Sequence, residues 1–306
     1  MIRKVLVLYG GFSAEREVSI MSAQAVMKAL QELGYETIPF DLKRENIPQF
    51  IQELYTLSPD VVFIVLHGPF GEDGTVQGML ELVGVPYTGS GVLASALAMD
   101  KRKAKEIFVQ HRILTPPWIS LNSRSTFAPL FSLGKDLVVK PVNQGSTIGV
   151  SIVHSVEELP QSVTKALQYS SEILVERYIP GREITCGVLG EEVLEVVEII
   201  PREGFYDYEH KYTPGLTIYQ SPAQLPSSVR EKVRETAYRA HHALRCSGAT
   251  RVDMRLSPDE EVYVLEVNTI PGMTQLSLLP KSAYPCGYDF PALVQKMLEL
   301  AFEKKY

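Results

Sequence analysis

Thr250–Asn268 reads TRVDMRLSPDEEVYVLEVN, two alternating runs either side of Ser257-Pro258-Asp259. Apolar residues at every second place predict two strands, and Pro258-Asp259 predicts the turn that joins them. Strand side chains alternate faces, so Arg251 and Asp253 share one face, as do Glu266 and Asn268. A turn centred on Pro258-Asp259 sets Arg251 opposite Glu266, with Asp253 on the diagonal. Four polar groups then converge on one patch. Oxygen donors from Asp, Glu and Asn suit Mg²⁺, which is held by one or two carboxylates plus substrate phosphates. The same pattern also fits the exposed polar face of an ordinary hairpin, and a one-residue slip would favour that reading.

Beyond the hairpin, Asn268 runs into Thr269-Ile270-Pro271-Gly272-Met273-Thr274. A glycine beside a cation and an arginine can bring a bare backbone N–H to a developing negative charge; a plain Pro-Gly turn is the alternative. Upstream, Lys140-Pro141-Val142-Asn143-Gln144-Gly145-Ser146-Thr147-Ile148-Gly149-Val150 puts a lysine at a strand end before a Gly/Ser/Thr loop. Such a loop offers an ammonium and several backbone donors to phosphate oxygens, although it lacks the G-x-x-x-x-G-K-[ST] spacing, and a flexible hairpin fits equally. Lys101 can add a second cation or be a solvated helix lysine. Glu176 and Glu183 flank Pro180-Gly181 and can accept from an adenine amine and ribose hydroxyls, with Ile179 as apolar contact; surface charge beside a turn is the other reading.

The rest of the chain frames these segments. Lys4–Tyr9 and Val61–Leu66 are apolar runs ending at glycine or His-Gly, as in a parallel sheet buried on both faces. Helices are expected from about Val18 to Leu33, from Glu72 to Leu82 and from Val92 to Gln110, the last opening a second domain after Gly89-Ser90-Gly91. Strands at Leu137–Lys140, Gly149–Val153 and Ile173–Tyr178, around a helix at Val156–Gln168, predict an antiparallel sheet. Strands at Ile184–Leu189 and Val193–Ile200 precede a Tyr/Pro/Gly-rich connection from Pro201 to about Pro226, long enough to be a lid. A helix at Ser228–Leu244 then leads back to the hairpin. Gly10-Gly11 before Ser13, Glu15 and Val18 is a strand-to-helix junction where open α/β sheets bind ligands. There Glu15 can hold an ammonium, or Ser13 can cap the helix. His67 begins a similar loop and is either a polar site contact or a structural histidine.

Composition narrows the class. The 306 residues are 45% apolar and 22% charged, with a net charge of -6 and no dense basic run. That argues against broad nucleic-acid or membrane-surface binding and allows two or three globular domains. Three scattered cysteines fit neither a disulfide framework nor a zinc knuckle and point to a reducing, cytoplasmic setting. No apolar stretch approaches the roughly 18 residues of a membrane span.

Taken in order, GGFSAEREVS (10–19), LHGPFGEDGTVQGMLELVGVPYTGSGVLASALAMDK (66–101), KP with GSTIGV (140–150), FYDYEHKY (205–212), RVDM and LEVNTIPGMTQLSLLP (265–280) closely resemble the D-alanine:D-alanine ligase family of the ATP-grasp superfamily. The resemblance runs nearly end to end. It implies an α/β fold, α+β in part: an N-terminal α/β domain over 1–89, a central domain over 90–184 and a C-terminal domain over 185–306 with a lid at about 201–226, the last two gripping ATP. It also implies joining of two D-alanines for peptidoglycan precursors through an acyl phosphate, in a homodimeric enzyme of the cytoplasm. Two Mg²⁺ ions, or Mn²⁺, would be held by Asp253, Glu266 and Asn268, with Glu266 bridging both.

By the same resemblance Lys101, Lys140 and Lys211 face ATP phosphates, and Glu176, Arg177, Ile179 and Glu183 face adenine and ribose. Glu15 holds the first substrate's ammonium, near Val18 and His67. Arg251 and the Gly272 N–H stabilise the oxyanion, and Ser277 with the Leu278 N–H binds the second carboxylate. Ser146 and Tyr212 complete a network with Glu15. Arg177 stands where lysine is common and Thr147 where serine is frequent, which bears on nucleotide affinity. Tyr212 favours D-alanine over D-lactate as acceptor. The rival readings are a ligase of the same class with D-lactate or D-serine as acceptor, and a non-catalytic nucleotide-binding module.

Overall fold

A computed structural model describes residues 2–202, 213 and 215–303. The apolar run Lys4–Gly10 (β1) is the middle strand of a parallel sheet, between Glu36–Leu42 (β2) and Val61–Ile64 (β3). One face, with Val5 and Val7, packs under Arg16–Glu32 (α1) and against helices from the far end of the chain. The other, with Leu6 and Leu8, is covered by Ile47–Leu57 (α2) and Thr75–Val83 (α3). Burial on both faces explains the unbroken apolar run. β2 and α2 were not legible as elements: β2 carries Pro39 and has only two buried residues, which an edge strand tolerates.

The expected helix from Val92 to Gln110 is two helices, Val92–Met99 (α4) and Lys101–Gln110 (α5). Asp100 between them is extended, and its side chain accepts from the Lys103 N–H at 2.9 Å, capping α5. Ala94, Ala98, Ala104 and Phe108 of this pair share one core with the C-terminal sheet. The central sheet is antiparallel, in the order Trp118–Asn122 (β4), Glu172–Arg177 (β7), Leu137–Pro141 (β5), Ser151–Val153 (β6). Leu159–Leu167 (α6) closes its apolar face. β4, directly after Pro116-Pro117, was the strand the pattern concealed.

The second antiparallel sheet runs Thr217–Gln220 (β10), Glu192–Pro201 (β9), Arg182–Leu189 (β8), Ala249–Leu256 (β11), Val262–Asn268 (β12). Ser227–Ala243 (α7) packs on one face, and Leu278–Ala283 (α8) and Phe290–Leu300 (α9) on the other. β10 lies inside the connection expected to be wholly irregular, and pairs Thr217 with Pro201.

The hairpin that decided the fold is present, with a corrected register. Arg251 pairs with Asn268 and Asp253 with Glu266, where the sequence argument set Arg251 opposite Glu266. The turn is centred on Asp259, one half-step later than assumed: Ser257 N–H donates to Glu261 O at 2.9 Å and Glu260 N–H to Ser257 O at 3.0 Å. A bulge after Asp253, opposite Leu265, shifts the register once more. The two corrections leave all four polar residues on one face.

Candidate active site

Every site residue named from the sequence and described in the structure lines a single cavity between the two antiparallel sheets, with the parallel unit at its mouth. Lys211 and Tyr212 lie outside the described residues.

At the mouth, two strand-to-helix turns are tied together. The Ser13 hydroxyl donates to His67 O at 2.7 Å and accepts from the Glu15 N–H at 3.2 Å. Glu15, at the start of α1, makes no side-chain cap bond; its carboxylate accepts instead from the Ser146 hydroxyl. Ser146 and Thr147 sit at φ 47° and 62°, in the left-handed region that costs non-glycine residues energy, which is how the loop turns its hydroxyl toward Glu15. A Cβ at Gly145 or Gly68 would come within 3.0 Å of Glu15 Oε2, so both loops approach the carboxylate as bare backbone. Val18, one turn into α1, is buried beside it.

His67 is buried, with Nδ1 3.1 Å from Ile270 O, and its Nε2 has no hydrogen-bond partner. Burial holds its pKa below the ordinary histidine value although the nearby Glu15 charge pulls upward. The ring is therefore neutral at pH 7. Glu72, which sequence reasoning passed over as a helix residue, also faces the cavity and accepts from the Gly68 N–H at 2.7 Å. Enclosure in the cleft, followed by the Glu15 charge, pushes its carboxyl up to about 8. It is a proton-bearing group beside the cleft.

The floor is the hairpin. Arg251 clamps Asp253 in a bidentate pair at 2.8 and 2.7 Å, Thr185 donates to Asp253 Oδ1 at 2.6 Å, and Asn268 Nδ2 to Oδ2 at 3.0 Å. Glu266 Oε2 lies 3.0 Å from the Lys101 ammonium, which also donates to Gln144 O at 2.6 Å. Among the described residues no group of three or more carboxylate, histidine or cysteine side chains could hold a cation unaided. Two carboxylates and an amide, all oxygen donors in a cleft that also carries lysines, fit Mg²⁺ with phosphates completing its shell. Gly272 lies where a Cβ would meet Ser277 Oγ at 2.8 Å. Ser277 Oγ in turn accepts from the Thr274 N–H at 2.9 Å, and Leu278 opens α8.

The inner wall holds a buried charge cluster. Glu176 Oε2 is 2.9 Å from Lys140 and Oε1 3.0 Å from Lys105. Burial alone would raise this carboxyl, but the two ammoniums outweigh it and hold the pKa low. Arg177 Nε donates to Leu133 O at 2.7 Å. Arg255, the second arginine on the hairpin, which sequence reasoning left unassigned, donates to Ile179 O at 3.1 Å and Gly181 O at 2.9 Å and lies 3.3 Å from Glu183 Oε2. Its signal was present: it continues the Arg251, Asp253 alternation. Lys105 gave no sequence signal, because a helix lysine is ordinarily solvated.

Two antiparallel sheets closing on ammonium groups at one end and a hydroxyl-linked carboxylate at the other define an ATP-grasp fold with a cleft suited to phosphoryl chemistry. Family models described as "D-ala D-ala ligase N-terminus" and "D-ala D-ala ligase C-terminus" match residues 4–56 with 48–90, and 113–299. A "D-alanine--D-alanine ligase" of Geobacter sulfurreducens is 48% identical, over 96% of this chain and 93% of that protein. A solved D-alanine--D-alanine ligase from Bacillus anthracis superposes with TM-score 0.87 at 39% identity, covering 98% and 97% of the two chains. A D-alanine--D-alanine ligase from Bacillus anthracis complexed with ATP gives 0.85 at 37%, with the same coverage. The chain belongs to the D-alanine--D-alanine ligase family. No helix among the described residues is long and apolar enough to cross a membrane.

Proposed function

We propose that this chain is an ATP-dependent ligase that joins two D-alanines into D-alanyl-D-alanine for peptidoglycan synthesis, releasing ADP and phosphate, with the chemistry in the cleft between the two antiparallel sheets. The contact between Ser146 and Glu15 carries the reading, since it joins a phosphate-type loop to an ammonium-type carboxylate at one point.

In this account Glu15 binds the ammonium of the first D-alanine, with Val18 against its methyl and His67 as a neutral polar neighbour. The carboxylate of that substrate attacks the γ-phosphorus of ATP; the bond to ADP breaks and an acyl phosphate forms. Ser277 and the Leu278 N–H hold the carboxylate of the second D-alanine. Once deprotonated, its amine attacks the acyl carbon, and the C–O bond to phosphate breaks as the peptide bond forms. Arg251 and the Gly272 N–H face the oxyanion of the tetrahedral intermediate. Lys101 and Lys140 face the phosphates, joined on the family resemblance by Lys211, which lies outside the described residues, while Glu176, Arg177, Ile179 and Glu183 face adenosine. Asp253, Glu266 and Asn268 would hold Mg²⁺, which when bound neutralises phosphate charge. By the family resemblance Tyr212, which lies outside the described residues, would complete the network with Glu15 and Ser146, and closure over the site would keep water from the acyl phosphate.

We read the three sheets as three domains, 1–89, 90–184 and 185–306. The exposed Leu82, Val92 and Leu93 on α3 and α4 support a homodimer, and dependence on ATP, with three free cysteines, supports a cytoplasmic location. The test is phosphate release from ATP and Mg²⁺ with D-alanine, with L-alanine and with no amino acid. Release only with D-alanine is expected; release that ignores D-alanine would overturn the reading.

A further inference from the structure

Ser19 and Ser22 share the buried face of α1, and both are fully shielded from solvent. Ala23, Val26, Ala29 and Leu30 pack the helix onto the core beside them, so an alanine would fit at either place and is the better helix former. Each hydroxyl instead holds backbone outside the helix. Ser19 Oγ accepts from the Gly10 N–H at 2.8 Å and donates to Val65 O at 2.6 Å, tying the end of β1 to the residue after β3. Ser22 Oγ reaches a segment from the far end of the chain and accepts from the Met273 N–H at 3.2 Å.

Met273 follows Gly272, whose N–H faces the oxyanion in the reading above. Three rigid peptide planes join Ile270 to Met273. The first is anchored at Ile270 O, 3.1 Å from His67 Nδ1, and the third at the Met273 N–H by Ser22. The Gly272 N–H belongs to the middle plane, and among the described residues nothing accepts from it. The anchored ends straddle the parallel sheet: the Ile270 side chain joins the core on one face and Met273 the core on the other. Side-chain burial fixes where the Cα atoms lie, but a peptide plane can still turn about the line between two of them. Proline locks its own φ, whereas Gly272 has the freest torsions in the segment. Hydrogen bonds to the flanking planes therefore decide how the middle one is tilted.

We propose that Ser22 is a positioning residue for peptide-bond formation: by holding the Met273 N–H it sets the tilt of the neighbouring peptide, so that the Gly272 N–H points at the oxyanion of the tetrahedral intermediate. The proposal rests on the reading of Gly272 as the oxyanion donor. Glu15 is the N-cap of the same helix, so one rigid element places the ammonium-binding carboxylate and aims the donor. A donor oriented in advance acts on charge that develops only in the transition state, and its loss appears in kcat rather than in KM.

The test uses the full-length enzyme, wild type against Ser22→Ala, Gly272→Ala and the double variant. Initial rates are measured together with binding of a phosphinate dipeptide, whose tetrahedral P–O⁻ stands in for the oxyanion. For Ser22→Ala, kcat and phosphinate affinity are expected to fall together, about tenfold or more, while the KM values for ATP and D-alanine stay within about threefold. The double variant should lie within about threefold of Gly272→Ala, because the donor is already displaced. Losses that multiply in the double variant, unchanged phosphinate affinity in Ser22→Ala, or KM values that rise as much as kcat falls would leave Ser22 a structural role only and overturn the proposal. If Gly272→Ala itself keeps wild-type kcat and phosphinate affinity, the oxyanion reading fails, and the proposal with it. Should Ser22→Ala not fold, Ser22→Cys, close to serine in size and a poorer acceptor, carries the same readout.

Discussion

The Ser146 hydroxyl donates to Glu15 Oε1 across 131 residues of sequence, joining the loop after β5 to the first strand-to-helix turn. The bond spans the mouth of the cleft, and Ser146 holds a left-handed backbone conformation to make it. Hydrogen bonds to charged groups are worth about 1.5–3 kcal/mol. Ser146→Ala is therefore expected to lower kcat/KM for D-alanine roughly 10- to 150-fold, with a smaller change in the KM for ATP. Initial-rate kinetics with each substrate varied separately checks this.

Gly272 has no room for a side chain, since a Cβ would come 2.8 Å from Ser277 Oγ. Gly272→Ala should displace Ser277 and move the backbone N–H that faces the oxyanion. The loss of one such donor is worth about 10²–10³ in kcat. Circular dichroism and thermal melting should show the variant still folded, because the loop lies outside the sheets.

Glu266 is paired across the hairpin with Asp253 and lies 3.0 Å from Lys101. Glu266→Gln keeps the shape and removes the charge. We expect a folded protein that turns over at less than about a hundredth of the wild-type rate. Chelation of the wild type should abolish turnover, with Mg²⁺ or Mn²⁺ restoring it. Undiminished activity in Glu266→Gln would remove this residue from the proposed cation site.

Glu72 gives a pH signature. Its carboxyl is raised from 4.5 to about 8 in the folded chain, chiefly by burial and then by the Glu15 charge. The folded state thus keeps a proton that the unfolded chain loses near 4.5. The associated stability is complete below that pH and is lost as pH rises through about 8. Glu72→Gln should flatten this dependence. Melting temperatures between pH 5 and 9 should show the wild type declining relative to the variant; parallel curves would contradict the assignment.

Acceptor choice is the finest point of specificity. With D-alanine and D-lactate competing near neutral pH, dipeptide is expected to dominate over depsipeptide, and product analysis by mass spectrometry decides it. A depsipeptide excess would move the chain to the ligases with another acceptor.

Much of this arrangement was legible in the residues. The runs at Lys4–Tyr9 and Val61–Leu66 announce a parallel sheet because burial on both faces leaves no place for polar residues. The alternation from Arg251 to Asn268 announces a hairpin with a polar face. Its register was misjudged because the turn is centred on Asp259 and a bulge lies opposite Leu265, and neither leaves a mark in apolar periodicity. β2 escaped notice because an edge strand with Pro39 buries little. Asp100 breaks one apparent helix into two by capping the second, although apolar spacing continues through it. Glu72 and Lys105 owe their character to burial, which is set by segments distant in sequence.

The central claim is that this cleft activates one D-alanine with ATP and joins it to a second. Incubation with ATP, Mg²⁺ and D-alanine labelled with ¹⁸O in its carboxylate tests it directly. The account predicts D-alanyl-D-alanine together with transfer of one labelled oxygen to each phosphate released. Phosphate released without label, or no dipeptide, would contradict it.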